Sequence, residues 1–253
     1  MAELSTFSIL RRYNFAAGAL HAASGLVIVI LSNSFALPVT ASYMTGPPGT
    51  TKRQWVVLLD LRLAWIVAAF FFLSAAAHIL LASGLRRRYE HEIARYRNPY
   101  RWIEYAASSS LMIVAIAQLT GISDVAALVA LVGVNASMIG FGWVQERFEQ
   151  PGGGLLAFWM GCAAGAIPWV AIGAYLIGPG AAAHPPGFVY AIYVSLFLAF
   201  NCFAVVQYLQ YRRVGRFADY LVGEKAYLVL SLAAKSLLAW QIFASALAAT
   251  SSH

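Results

Sequence analysis

The run Ser231-Leu232-Ala233-Ala234-Lys235-Ser236-Leu237-Leu238-Ala239-Trp240-Gln241-Ile242-Phe243 places one lysine inside an apolar stretch that extends over 223–249. A bilayer core needs about 20 apolar residues per helix, so the stretch reads as a membrane span. Lys235 lies near its middle, roughly 18 to 21 Å from either end at 1.5 Å per residue, too deep for its stem to reach water. A free ammonium at that depth costs about 3 kcal/mol or more, which leaves a neutral amine, an ion pair or a covalent adduct. A desolvated amine stays nucleophilic, and that suits Schiff-base formation with an aldehyde. A lysine lining a water cavity or pairing structurally is the other reading of the same residue.

The rest of the chain has the same character. It has 253 residues, 61% hydrophobic and 11% charged, about half the charge of an average soluble domain. That composition excludes a cytosolic enzyme, a coiled coil and a disordered chain together. Read by span length, the sequence gives seven candidates, at about 12–32, 61–83, 99–120, 123–143, 155–178, 187–210 and 223–249. The first is too long for a signal-peptide core and is kept as a span. Gly121-Ile122-Ser123-Asp124 joins spans three and four as a tight turn, Gly ending one helix and Ser or Asp capping the next. The expected fold is an all-α membrane protein, one seven-helix domain over 1–253. Cys162 and Cys202 both lie in apolar runs and argue against a disulfide framework.

A net charge of +7 would suit a nucleic-acid binder, but the basic residues sit in short clusters between spans. Of the 17 Lys and Arg, 13 fall on the face that holds the N-terminus and the even-numbered loops, 3 on the other, and Lys235 is left in mid-span. By the positive-inside rule the N-terminus is expected in the cytoplasm and the C-terminus outside, in a multi-pass protein of the cell membrane with lipid rather than nucleic acid as its surroundings. The long outer segment from Ser32 to Asp60 carries β-forming stretches at Ala36 to Met44 and Thr51 to Leu58 around Gly46-Pro47-Pro48-Gly49, which predicts a short outer β-hairpin, a cap or a dimer contact.

Ionisable residues inside spans lead the site search. Glu104, in Arg101-Trp102-Ile103-Glu104-Tyr105, is the candidate counter-anion; an i, i+3 pair with Arg101 is the competing reading. From the span limits Glu104 lies roughly 10 Å shallower than Lys235, so water or polar groups are expected to bridge them. Asp60, Asp124, Glu146 and Glu224 fall at span ends and read as solvated or capping carboxylates. His21 and His78 lie at a similar level to Glu104, a pattern that suggests a polar cavity. Ser231, Ser74 and Ser108 stand four residues from Lys235, His78 and Glu104 and share their helix faces. No metal-ligand set is read. Gly161 to Gly165 is a GxxxG match for close helix packing, Pro168 breaks the same span, and mid-span aromatics could line a flat apolar ligand.

Several of these motifs, in order along the whole chain, resemble the heliorhodopsins: the Lys235 run, Arg101 to Tyr105 followed by Ser108-Ser109-Ser110, Val134-Asn135-Ala136-Ser137-Met138, Pro186-Gly187-Phe188-Val189-Tyr190 and Gly46-Pro47-Pro48-Gly49-Thr50-Thr51. The resemblance implies a seven-helix retinal protein with inverted orientation, in agreement with the charge count. It further implies all-trans retinal on Lys235, Glu104 as counterion, Ser231 as polar neighbour, His21, His78 and Ser74 in a cytoplasmic-side cavity, and Tyr105, Met138, Ile139, Phe200 and Asn201 along the polyene or its ring. Dimerisation through the outer hairpin is implied as well.

The expected function is therefore light sensing rather than enzymatic catalysis; a cytoplasmic signalling or enzyme partner docking on the Arg86 to Arg101 surface is one reading of that basic loop, and topology with anionic lipid explains it equally. A light-driven proton pump or channel is one alternative, and a retinal-independent proton-coupled transporter using Lys235 and Glu104 as an ion pair is the other. Ionisable steps on only one side of Lys235 argue against a pump.

Overall fold

The computed structural model describes residues 2–49, 52–178 and 184–250, with side chains from 7 to 244. Thr50, Thr51 and Ala181 to Ala183 lie outside the described residues. The elements are α1 (Ala2–Ile30), β1 (Ala36–Met44), β2 (Arg53–Arg62), α2 (Leu63–Ala82), α3 (Arg86–Ile93), α4 (Pro99–Leu119), α5 (Val125–Phe148), α6 (Leu156–Ile177), α7 (Gly187–Tyr211), a 3-10 turn (Gly215–Ala218) and α8 (Tyr220–Thr250). Seven of the described helices, all but α3, are long and apolar enough to cross a membrane.

Boundaries differ from the hydropathy limits where polar residues continue a helix. Arg11 and Arg12 lie inside α1 rather than ahead of it, and Arg11 Nε donates to the Ala82 carbonyl at 3.1 Å. α5 runs on through Gln145-Glu146-Arg147-Phe148, past the expected end at 143. The stretch after α2 was expected to be a basic loop and instead forms α3, whose Tyr89 and Ile93 bury against Leu10 and Leu81 while Arg87 and Arg88 face outward. Three consecutive arginines conceal a helix with one apolar stripe.

The expected hairpin forms as an antiparallel pair, Ala36 opposite Arg62 and Met44 opposite Arg53, with a bulge between Val39 and Thr40. Its second strand is longer than expected and runs directly into α2. Gly49, at φ +94°, supplies the left-handed turn conformation that a side chain would strain. The hairpin is fastened to the turn between α4 and α5: the Thr40 amide donates to the Ser123 carbonyl at 2.8 Å, and the two hydroxyls lie 3.0 Å apart. At that turn Gly121 takes φ +96°, and Asp124 caps α5 by accepting from the Ala126 and Ala127 amides.

α1 packs on α2, α2 on α4, α4 on α5, α5 on α6, α6 on α7 and α7 on α8, and α8 returns to α1. α4 is the most buried of the seven. The bundle is polarised along its axis. Toward the hairpin the core is apolar, with Ile113, Ile116, Ile172, Ile192 and Leu238 completely enclosed. Toward the other end, here called the N-terminal face, the buried set is polar: Asn14, His21, Arg101, Glu104, Glu146 and Glu224.

Candidate functional site

α8 and α4 bring the two leading residues into contact. Lys235 Nζ donates to Glu104 Oε1 at 3.0 Å and to Ser231 Oγ at 2.7 Å, with both charged residues buried. No bridge is required, contrary to the depth argument. Side chains lean toward the N-terminus of their helix, so the lysine folds back one turn onto Ser231, and the 10 Å offset counted along the spans is closed by the side chain and by the relative placement of the two helices. Ser74 donates to the same Glu104 oxygen at 2.5 Å, and Ser108, one turn beyond Glu104, also hydrogen-bonds to it. A buried amine with a carboxylate and a hydroxyl in reach is a fixed, paired charge away from water.

Glu104 does not pair with Arg101. Arg101 turns to the N-terminal face, where Nη2 meets Glu146 Oε1 at 2.6 Å and Nη1 meets Glu224 Oε1. Its guanidinium lies 4.0 Å from the Tyr227 ring centre and 4.6 Å from that of Trp102. Glu146 and Glu224 were expected to be solvated or capping and are instead almost fully enclosed. Glu146 accepts from the Asn98 amide at 2.9 Å, Trp102 Nε1 at 2.6 Å and Tyr220 Oη at 3.0 Å; Glu224 accepts from Asn98 Nδ2 at 2.8 Å. Asn98 also caps α4 by accepting from the Arg101 amide, followed by Pro99 at the first helical position. This cluster draws on three helix ends, and no spacing within one segment announces it. Asn98-Pro99 as a helix start was the one local signal.

His21 and His78 stack with ring centres 5.5 Å apart and planes 2° apart. His78 Nδ1 pairs with Asn14 Oδ1 at 2.9 Å, while neither ring nitrogen of His21 has a partner among the described residues. A cavity of about 30 Å³ touches His78, Glu104, Arg101, Glu224 and Tyr227; of the residues expected in a polar cavity, His21, Ser74 and Ser108 are not on its wall.

A second, mostly apolar cavity of about 90 Å³ opens between α4, α5, α6 and α7. Tyr105, Met138, Ile139 and Phe200 line it, with Cys162 and Phe203. Tyr105 connects it to the lysine: Lys235 Nζ lies 5.4 Å from the Tyr105 ring centre, and Tyr105 Oη donates to the Tyr227 carbonyl at 2.9 Å. Asn201 does not join them. It is exposed, and its amide donates to the Phe197 carbonyl one turn back on α7. In the GxxxG stretch, a Cβ on Gly165 would stand 2.5 Å from Met138 Sδ, so α5 and α6 approach closely there.

A buried lysine on the last of seven membrane helices, paired with a carboxylate on the third and adjoining an aromatic-walled cavity, defines the rhodopsin class of fold and site. Solved structures agree on the fold. The transmembrane domain and linker region of the Salpingoeca rosetta rhodopsin phosphodiesterase is similar at a TM-score of 0.69 and 14% identity, covering 98% of this chain and 85% of that one. Cyanorhodopsin from the cyanobacterium Tolypothrix is similar at 0.65 and 10%, covering 94% and 93%, and a light-driven proton pump from Leptosphaeria maculans at 0.65 and 15%, covering 93% and 95%. No curated protein matches the sequence. The chain belongs to the heliorhodopsin family, whose sequence profile matches residues 10–247.

Family membership implies a retinal chromophore on a lysine, and the residues present fit one. Lys235 is the one lysine buried in a described span, it is a primary amine already paired with a carboxylate, and eight aromatic or sulfur-bearing side chains wall the neighbouring cavity.

Proposed function

We propose that the protein is a light sensor that carries all-trans retinal covalently at Lys235 and answers light by moving a proton within its polar half. The observation that carries this reading is the Lys235–Glu104 pair at 3.0 Å, buried beside the cavity of Tyr105, Met138, Ile139 and Phe200. Retinal, when bound, supplies light absorption and a change of shape about a double bond. The chain supplies the rest. Glu104 balances positive charge at Nζ, with Ser74 and Ser108 holding its carboxylate and Ser231 holding the nitrogen. When the nitrogen gives up its proton, Glu104 and the His21 and His78 pair are the groups within the same polar region that can hold it.

The distribution of basic residues supports a cytoplasmic N-terminal face. On the other face the exposed Tyr43, Trp55 and Val57 of the hairpin support association with a second copy. A cytoplasmic partner would meet exposed Arg87 and Arg88 of α3, not Arg101, which is buried. The apolar half between Lys235 and the hairpin offers no ionisable relay among the described residues, which favours sensing over pumping. Illuminating retinal-loaded cells in weakly buffered medium tests this: no sustained pH change is expected. A sustained change abolished by a protonophore would make the protein a pump.

A further inference from the structure

Arg101, Glu146 and Glu224 form a buried set with one permanent positive charge and two carboxyl groups. The remaining groups around Glu224 do not restore the balance. Tyr89 of α3 and Tyr220 and Tyr227 of α8 are phenols, Asn98 is neutral, Glu104 is already matched by Lys235, and Arg95 and Arg97, which line a pocket with Arg101 and Glu146, are exposed and half-buried rather than enclosed with the set. Two carboxylates cannot both stay ionised around one guanidinium away from water, so the set holds a proton. The donors divide unequally. Glu146 takes the Asn98 amide, Trp102 Nε1 and Arg101 Nη2, Glu224 takes Asn98 Nδ2 and Arg101 Nη1, and the Tyr220 hydroxyl lies within reach of both; the fuller set of charge-stabilising donors is on Glu146.

Glu224 and Glu104 both line the cavity of about 30 Å³. Three further buried atoms on its wall, Arg101 Nε, Tyr227 Oη and His78 Nε2, have no partner among the described residues. That space, with that many polar groups, suits an ordered water. At the N-terminal face a crevice of about 240 Å³ is lined by Tyr96, Gln150, Arg213 and Tyr220, the residue whose hydroxyl bonds Glu146.

We propose that Glu224 is a proton store, protonated in the resting protein and able to exchange its proton with the Lys235–Glu104 pair across this cavity. In the exchange the Glu224 O–H bond breaks, its electron pair stays on the oxygen against Arg101, and the proton passes through the cavity to Glu104 or to the nitrogen of Lys235, whichever lacks one. Refilling comes from the N-terminal face through this crevice. The exchange rests on Lys235 being the chromophore anchor; the resting proton on Glu224 does not.

The test begins with retinal-free protein in lipid vesicles, by infrared spectroscopy of the C=O stretch of a protonated carboxylic acid. Wild-type protein should show the band, Glu224→Gln should lose it, and Glu146→Asp, which keeps both carboxyl groups around Arg101, and Glu104→Gln should keep it unshifted. Incorporation of ¹³C-carboxyl glutamate into wild-type protein should shift the band, which needs no variant to fold. Absence of the band, its survival in Glu224→Gln, or a shift of its frequency in Glu146→Asp overturns the store. With retinal bound, the light-minus-dark spectrum should show the same band depleted. A band indifferent to light in protein that absorbs visible light overturns the exchange and leaves the chromophore assignment standing.

Discussion

Arg101→Met tests the account of the N-terminal half. Arg101 is 6% exposed, and its guanidinium contacts two carboxyl groups and lies between the rings of Trp102 and Tyr227. Methionine keeps much of the stem and removes the charge, leaving Glu146 and Glu224 to face each other without a cation. Breaking a buried ion pair from one side costs about 3–5 kcal/mol, because the surviving charge is left uncompensated. At roughly 2–4 °C per kcal/mol for a chain of this size, the unfolding midpoint should fall by roughly 6–20 °C. Arg101→Lys, which restores the charge but not the fork that reaches both carboxyls, should recover part of that loss. The assay is thermal unfolding of retinal-free protein in detergent followed by tryptophan fluorescence, since Trp102 belongs to the cluster. A midpoint within about 2 °C of wild type, on the same scale, would refute the claim that this network holds the helix ends together.

Other perturbations reach other parts of the structure. Glu104→Gln removes the negative charge 3.0 Å from Lys235 Nζ; because that charge stabilises positive charge at the nitrogen end of the chromophore, the visible band should move to longer wavelength, and an unchanged absorption maximum would remove Glu104 as counterion. Cys162→Trp should fill the cavity of about 90 Å³, so that the apoprotein folds with native helix content by circular dichroism yet takes up retinal much more slowly. Asp124→Ala removes the cap of α5 and should cost about 1 kcal/mol, a small midpoint shift with the spectrum unchanged.

Legibility from sequence followed the range of the interactions. The spans and the hairpin were readable because each rests on local chemistry: an apolar run long enough for a bilayer, a Gly-Pro-Pro-Gly turn between β-formers, an Asp before a helix. Lys235 and Glu104 were readable because a charge in a span is costly wherever its partner is. Glu146, Glu224 and Asn98 were not, since three helix ends meet only in the folded bundle, and a glutamate at a span end has the same local sequence whether it is solvated or clamped by an arginine. Counting depth along single helices also misplaced the lysine, because the side chain folds back by a full turn. Asn201, taken from the family resemblance, faces outward on α7.

The central claim is that Lys235 carries the chromophore. Protein expressed with retinal, treated with borohydride to fix the linkage and digested, should yield one peptide heavier by a retinyl group, with the mass on Lys235. Lys235→Ala protein should give neither that peptide nor a visible band. A coloured Lys235→Ala protein, or retinyl mass on another residue, would contradict the account.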